Sequence, residues 1–297
     1  MKKLLIILSI IFLPYINFGQ RLEISNYVLT DSDNILNVKN GIGYYHKMNK
    51  NWLIGSNIGH YYYKDIDNMN FNYISINNYI KRDSIYNIDL NLDYQFNKNY
   101  DLFKYDVLGG FHPNKYMYVE LYSNRDWIET TDCIRKDIIF YNNGISTDFY
   151  FKKYRLTFVG AYTNQYFNDK NSKGVKVFKV IGHPIENMGI FISSKLIDSD
   201  FKSQDYFSPL NFDTYAFGVY HSFTLNKDNF VFKPQITYGS QNIDSEIKSY
   251  YAFDILFKGW YKDKYGIDFK FGISNSVNEF GQYNLINGNL KLKYQLN

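Results

Sequence analysis

A single cysteine, Cys133, stands in 297 residues, so no intramolecular disulfide braces the chain and no cysteine cluster holds a metal. Proline is nearly as scarce, at five, which leaves long stretches free to enter hydrogen-bonded ladders. After the first twenty residues no continuous apolar run is long enough for a membrane-spanning helix. The formal charge is +4, part of it from Lys2 and Lys3, and is too slight to draw nucleic acid or an acidic partner. What the chain has in excess is aromatic rings: 31 Tyr and 25 Phe dominate an aromatic fraction of 20%, against a mean hydropathy of −0.39. A water-soluble domain must bury those rings. A membrane barrel instead shows them to lipid and to the two interfaces while its other face stays polar.

Residues 1–19 read as a secretory signal peptide. Met1-Lys2-Lys3 is a basic start, Leu4 to Leu13 is a short apolar core, and Pro14 to Gly19 leads to a cleavage point before Gln20. The core is too short to anchor in a bilayer. The other reading is a buried N-terminal helix of a cytosolic protein. Residues 20–297 show no repeat, linker or second boundary and are expected to form one domain.

Beyond Gln20 helical periodicity is almost absent and apolar and polar residues alternate with period two. Ile88, Leu90, Leu92, Tyr94 and Phe96 oppose Asp89, Asn91, Asp93 and Gln95. Tyr154, Leu156, Phe158 and Tyr162 oppose Arg155, Thr157 and Thr163. Ile267 to Ile273 and Leu290 to Leu296 repeat the pattern. Turn-rich residues near Asn49, Arg82, Asn114, Lys153, Asn187, Lys227 and Lys262 divide the chain into eight hairpins. Longer polar connections are expected at 126–137, 168–174, 198–208 and 275–282. The fold class is therefore an all-β, antiparallel transmembrane barrel of about sixteen strands, with short periplasmic turns and longer extracellular loops. Fourteen strands is the alternative, because 70–80 and 175–181 alternate poorly. A soluble two-sheet sandwich is the competing fold. The barrel reading places the protein in the outer membrane of a Gram-negative-type bacterium, with membrane lipid and the barrel-insertion machinery as partners and no nucleic acid.

The wet face of such a barrel includes Asp89, Asp93, Lys104, Asp106, Arg155, Lys233, Asp254, Lys258, Asp268, Lys270, Lys291 and Lys293. Both signs are present, which suits a hydrated solute; pairs of opposite charge also serve as internal struts. Tyr61, Tyr118, Tyr122, Tyr150 and Tyr220 point inward or to a rim, where rings stack on sugars, although most tyrosines belong to the interfacial girdles. Glu129 and its loop read as solvated.

The stretch Tyr206-Phe207-Ser208-Pro209, leading through Leu210-Asn211-Phe212 to a strand, resembles a segment of the C-terminal barrels of exopolysaccharide export proteins, the outer-membrane channels for cellulose and poly-N-acetylglucosamine. The resemblance covers the strand count of most of the mature chain but only about seven residues of motif. It implies a sixteen-strand export channel with polysaccharide as cargo. That family carries a periplasmic array of helical repeats before the barrel, for which 20–297 leave no room, so the resemblance implies a separate periplasmic scaffold or none. The ending Tyr294-Gln295-Leu296-Asn297 also lacks the terminal aromatic of many outer-membrane barrels.

Three functions remain. The leading one is a channel for a hydrophilic solute, an exopolysaccharide or its fragments; the second is a structural or partner-binding barrel with a closed lumen; the third is an outer-membrane lipid hydrolase. For the third, His46, His60, His112, His183 and His221 offer no pattern that fixes a Ser or Asp partner, and His221 and Ser222, as strand neighbours, face opposite sides. No nucleophile elbow, metal-spaced set or phosphate loop occurs. No catalytic residue, metal or cofactor is assigned.

Overall fold

The computed structural model describes residues 20–296 apart from 33–34, 83–84, 226–228 and 279–280, and the signal peptide expected at residues 1–19 lies outside them. The alternating segments form one antiparallel sheet that closes on itself. In chain order its strands are β1 (Gln20–Asp31), β2 (Leu36–Asn49), β3 (Trp52–Lys64), β4 (Asn68–Arg82), β5 (Tyr86–Phe96), β6 (Asp101–Asn114) and β7 (Met117–Trp127). After a short helix, Thr131–Arg135, come β8 (Ile139–Phe151), β9 (Leu156–Phe167), β10 (Ser172–Gly182), β11 (Met188–Ser199) and β12 (Asn211–His221). The last are β13 (Phe223–Leu225), β14 (Phe230–Ile243), β15 (Glu246–Tyr261), β16 (Tyr265–Asn278) and β17 (Gly281–Gln295). Apart from β12 and β13 each strand pairs with its chain neighbours, and β1 pairs with β17, from Arg21 against Gln295 to Asp31 against Leu285. β12 and β13 both pair with β14 on either side of Ser222 and make one stave, so the barrel has sixteen.

Closure removes both sheet edges, which is what allows a sheet to sit in lipid. The staves, 11 residues in β5 and 16 in β15, meet or exceed the roughly 9–11 residues that a tilted strand needs to cross a bilayer. Alternation decides which side chains meet lipid. Ile42 on β2, Ile58 on β3 and Ile192 on β11 are about 60% exposed, and Leu121, Phe178, Phe217 and Ile236 continue the outer belt. In water such a belt amounts to an aggregation site; around a closed barrel it is the membrane face. Trp52, Tyr79, Tyr116, Tyr154, Tyr261 and Tyr265 are exposed near the short-turn end and form a girdle there. The closed barrel with this belt places the chain in an outer membrane. Ile192→Arg is expected to destabilise the folded barrel by roughly 2–4 kcal/mol, the cost of a lipid-facing cation near the midplane, as measured by denaturant unfolding in lipid vesicles.

Several expectations are corrected. The stave expected from Tyr154 starts at Leu156: Lys152–Tyr154 is a 3-10 turn, and Arg155 follows at φ 53°, left-handed. The connection expected to be long at 168–174 is tight, because β10 begins at Ser172, and the one expected at 275–282 is largely strand, with β16 running to Asn278 and β17 resuming at Gly281, while 279–280 lie outside the described residues. The long connections are 128–138 and 200–210. The poorly alternating stretches 70–80 and 175–181 are full staves, β4 and β10, which rules out fourteen strands. Their alternation is weak because the inner face is apolar where it meets a loop folded into the barrel. Met69 and Phe71 of β4 join a buried cluster with Ile134 of the helix, and Val175 packs with Ile197, Phe212 and Phe207.

Candidate functional site

Sixteen staves at about 4.8 Å spacing and about 40° tilt enclose a bore roughly 30 Å across between backbones. Inward rings narrow it. The sequence provides room for them by placing glycine where a ring from the adjoining stave lies flat: Tyr45 covers Gly55, and any Cβ at Gly55 meets the ring carbons of Tyr45. The expected inward tyrosines are found accordingly: Tyr122 lies over Gly144 and Tyr220 over Gly189, Tyr118 hydrogen-bonds Glu120 on its own stave at 3.2 Å, and Tyr150 lies at the short-turn rim beside Arg155.

Two interior cavities lie against opposite walls. The first, about 430 Å³, is bounded by β1 to β7 and β17 and carries both signs of charge. Lys39 pairs with Asp93 at 2.8 Å, Lys104 pairs with Asp126, and Lys291 reaches Glu23 at 3.7 Å. Asp106 lines the same cavity, with Asp89 close enough to feel both it and Lys291. Next to this wall Lys293 pairs with Asp268. The second cavity, about 420 Å³, is bounded by β10, β11, β12, β14 and β15, with Ser274 and Asn275 of β16 and Leu285 of β17 at its edge. Its polar groups are hydroxyls and amides, Ser193, Thr214, Thr237, Gln235 and Gln241, with Lys179 and Lys195. Lys233, Asp254 and Lys258 follow on the inner faces of β14 and β15, and Lys270 is on that of β16, two residues from Asp268. Arg155 has left the wall; from the turn after β8 it donates to the carbonyl of Pro184 at 3.1 Å.

The loop that the sequence places at 126–137 and in solvent spans 128–138 and turns into the bore. The Tyr61 hydroxyl donates to a Glu129 carboxylate oxygen at 2.7 Å, and Asn37 Nδ2 donates to the Glu129 carbonyl at 3.1 Å. Asn37 is on β2, five staves from β7, so a loop that leaves β7 and touches β2 must cut across the mouth. The helix extends that crossing. Thr130 caps it, accepting from the Cys133 N–H at 3.3 Å. The Thr131 N–H donates to Asp65 at 2.6 Å in the β3–β4 turn, Arg135 pairs with Asp67 beside it, and Ile134 is wholly buried.

From the far side, loop 200–210 completes the cover. Tyr206 stacks on Phe167 with centroids 4.4 Å apart and donates to Asp169 at 2.8 Å. Phe207 packs edge-on to Phe212, Ser208 is buried, and Lys173 donates to the Phe207 carbonyl at 2.7 Å. The two loops meet where Lys136 pairs with Asp205 and the Cys133 thiol donates to the Asp205 carbonyl at 3.1 Å. Burial pushes the Cys133 thiol up to about 11, so it stays neutral and unreactive at this seam. The signal available in the sequence was Trp127-Ile128 and Ile138-Ile139 flanking a loop otherwise read as polar: apolar residues at both feet imply a loop that bends inward.

Among the described residues no three His, Cys, Asp or Glu side chains converge on a metal site. The histidines make separate contacts: His183 meets Thr157 at 3.2 Å, His112 lies against Tyr118, and His221 against Phe223.

No protein-family model and no curated protein matches the chain. Solved structures share its architecture. One described as a "Bacterial polysaccharide outer membrane secretin" superposes with a TM-score of 0.73 over 95% of this chain and 100% of that one, at 9% identity. Pseudomonas aeruginosa OprD follows with a TM-score of 0.50 over 95% of this chain and 96% of its own, at 8% identity. Pseudomonas aeruginosa OpdO has a TM-score of 0.50 over 94% and 97%, also at 8% identity. At these identities what the chain shares with them is the fold alone, an outer-membrane β-barrel, which in this chain has sixteen staves.

Proposed function

We propose that the protein is an outer-membrane channel for a hydrophilic solute, an extracellular polysaccharide or its fragments, closed at its loop end by 128–138 and 200–210. The observation that carries this reading is the interior beneath the loops. Two cavities are lined by carboxylates, ammonium groups, amides and hydroxyls, and around the first Asp93 Oδ1, Asn77 Nδ2 and Asn124 Oδ1 have no protein partner among the described residues. Buried polar atoms in that state are ones that hydrogen-bond to water. A barrel built only as a structural post has no need of such a wall. Two further points support polysaccharide as cargo: the Tyr206-Phe207-Ser208-Pro209 segment resembles that of the export barrels, and one similar structure is described as a polysaccharide secretin. A separate periplasmic scaffold would then stand in for the helical repeats of those exporters.

The second reading, a closed structural or partner-binding barrel, draws on the ion pairs Lys39–Asp93 and Lys104–Asp126, which span neighbouring or near staves as struts. Planar-bilayer recordings separate the two. A channel gives discrete current steps that added glycan oligomers block. Silence both in the intact chain and in a variant shortened at 129–136 leaves the structural post.

A further inference from the structure

The two walls of the bore are unlike in charge. On the β1–β7 and β17 side each of Lys39, Lys104 and Lys291 has a carboxylate within pairing distance. On the other side the lysines stand without one; Asp268, opposite Lys258 in the β15–β16 register, is taken by Lys293. Lys173 and Lys195 lie near the loop end, Lys179 at mid-wall, and Lys233 and Lys258 towards the short turns. Each is within electrostatic reach of the next at its level: Lys173 of Lys195, Lys179 of Lys233, Lys233 of Lys258. Among the described residues none of the five makes an ion pair, the inner faces of β10, β11, β12 and β14 carry no carboxylate, and Asp254 on β15 is the one acidic group that Lys179 feels.

Rings hold three of these ammonium groups against the wall. Lys173 Nζ lies 5.3 Å from the centroid of Phe167 and donates to the neutral Phe207 carbonyl. Lys179 Nζ sits 3.6 Å from the centroid of Phe191, and Lys233 Nζ 3.8 Å from that of Tyr220. A ring face steadies a cation without neutralising it, so the wall keeps its net positive charge. Clustered like charges in a low-dielectric shell oppose folding, and unpaired groups of this kind persist where a ligand of opposite sign supplies the missing partner. Between the lysines the wall offers Thr214, Gln235, Thr237 and Gln241, which are donors and acceptors for hydroxyl groups.

We infer that the wall formed by β10 to β15 is a track for an anionic saccharide, its carboxylates handed from Lys173 and Lys195 past Lys179 to Lys233 and Lys258 while its hydroxyls meet the amides and hydroxyls between. This rests on the channel reading and names the class of its solute.

The test uses the full barrel folded in detergent and in bilayers, wild type and a Lys179→Gln/Lys195→Gln/Lys233→Gln variant, each checked for the mobility of folded barrels. Calorimetric titration with tetragalacturonate, with neutral maltotetraose and with inorganic phosphate reads binding alone. Tetragalacturonate is expected to bind at least tenfold more tightly than maltotetraose, to weaken as salt rises, and to lose that advantage in the variant. Phosphate binding as well as tetragalacturonate shows a small-anion site and overturns the saccharide assignment; equal binding of charged and neutral tetramers, or an unchanged variant, overturns the track. In bilayers under a KCl gradient, anion selectivity is expected in the wild type and reduced in the variant. Charge-dependent binding without current in the intact or loop-shortened barrel removes the channel and leaves the track standing. Current without anion preference removes the track and leaves the channel.

Discussion

Replacing residues 129–136 by a short Gly-Ser linker raises the single-channel conductance of the barrel by about tenfold or more, because a bore of sixteen staves is aqueous unless something fills it. The segment lies across its mouth now. Its removal deletes the Glu129 contacts with Tyr61 and Asn37, the Thr131 contacts with Asp65, the Arg135–Asp67 pair and the wholly buried Ile134. It also removes Cys133 and Lys136, on which the 200–210 loop rests through Asp205. The staves do not depend on these contacts, since each has its full ladder on both sides. The variant should therefore insert and resist denaturant at the level of the wild-type wall while the current rises. A milder change, Ile134→Asp, drives a carboxylate into the cluster of Tyr61, Tyr63, Phe71 and Trp127 and is expected to give flickering openings between the two levels. Bilayer recordings of the three proteins check the series. Equal conductance in all three means the loops do not close the bore.

The second large effect is on stability. Lys104→Met is expected to destabilise the barrel by about 3–5 kcal/mol, the usual result of removing one partner of a buried ion pair. Lys104 is 7% exposed at its side chain and Asp126 29%, so water screens the pair poorly. Without the ammonium group, Asp126 is left with Glu129 for company, and Lys104 also sits near the rings of Tyr61 and Trp127, 5.4 and 5.9 Å from their centroids. Adding Asp126→Asn to Lys104→Met should return most of the loss, because the orphaned charge goes with it. Denaturant unfolding of the single and double variants in lipid vesicles measures both. A Lys104→Met loss below about 1 kcal/mol means the pair is solvated like a surface bridge.

The wall was legible from residue order because lipid imposes one rule on every stave: Ile88, Leu90 and Leu92 must face out if Asp89, Asn91 and Asp93 face in. Alternation failed where a third environment intruded. Phe71 and Val175 face inward yet stay dry, since a loop covers them, and nothing local in β4 or β10 announces Ile134 or Phe207, which come from loops far along the chain. Arg155 failed for a different reason. Its position in the period was right, but the left-handed turn after Tyr154 takes it off the stave before the ladder begins. The charge asymmetry was visible only in part, because residue order shows Lys104 and Lys233 as equivalent inward cations. Asp126 beside one and Tyr220 beside the other are facts of register and of the fold of the loop.

A wet interior and an oily exterior require each residue to face a definite side of the wall. Nitroxide labels placed one at a time at successive positions of β10 and β11, from 175 to 181 and from 190 to 196, in a Cys133→Ser background and in lipid vesicles, read that side through collisions with oxygen, which concentrates in lipid, and with a water-soluble nickel chelate. The expected result is strict alternation: labels at Phe178 and Ile192 collide with oxygen, and labels at Lys179 and Lys195 with the chelate. Chelate access at every position, or alternation of opposite phase, contradicts a barrel that wears its apolar side chains outward around a wet interior.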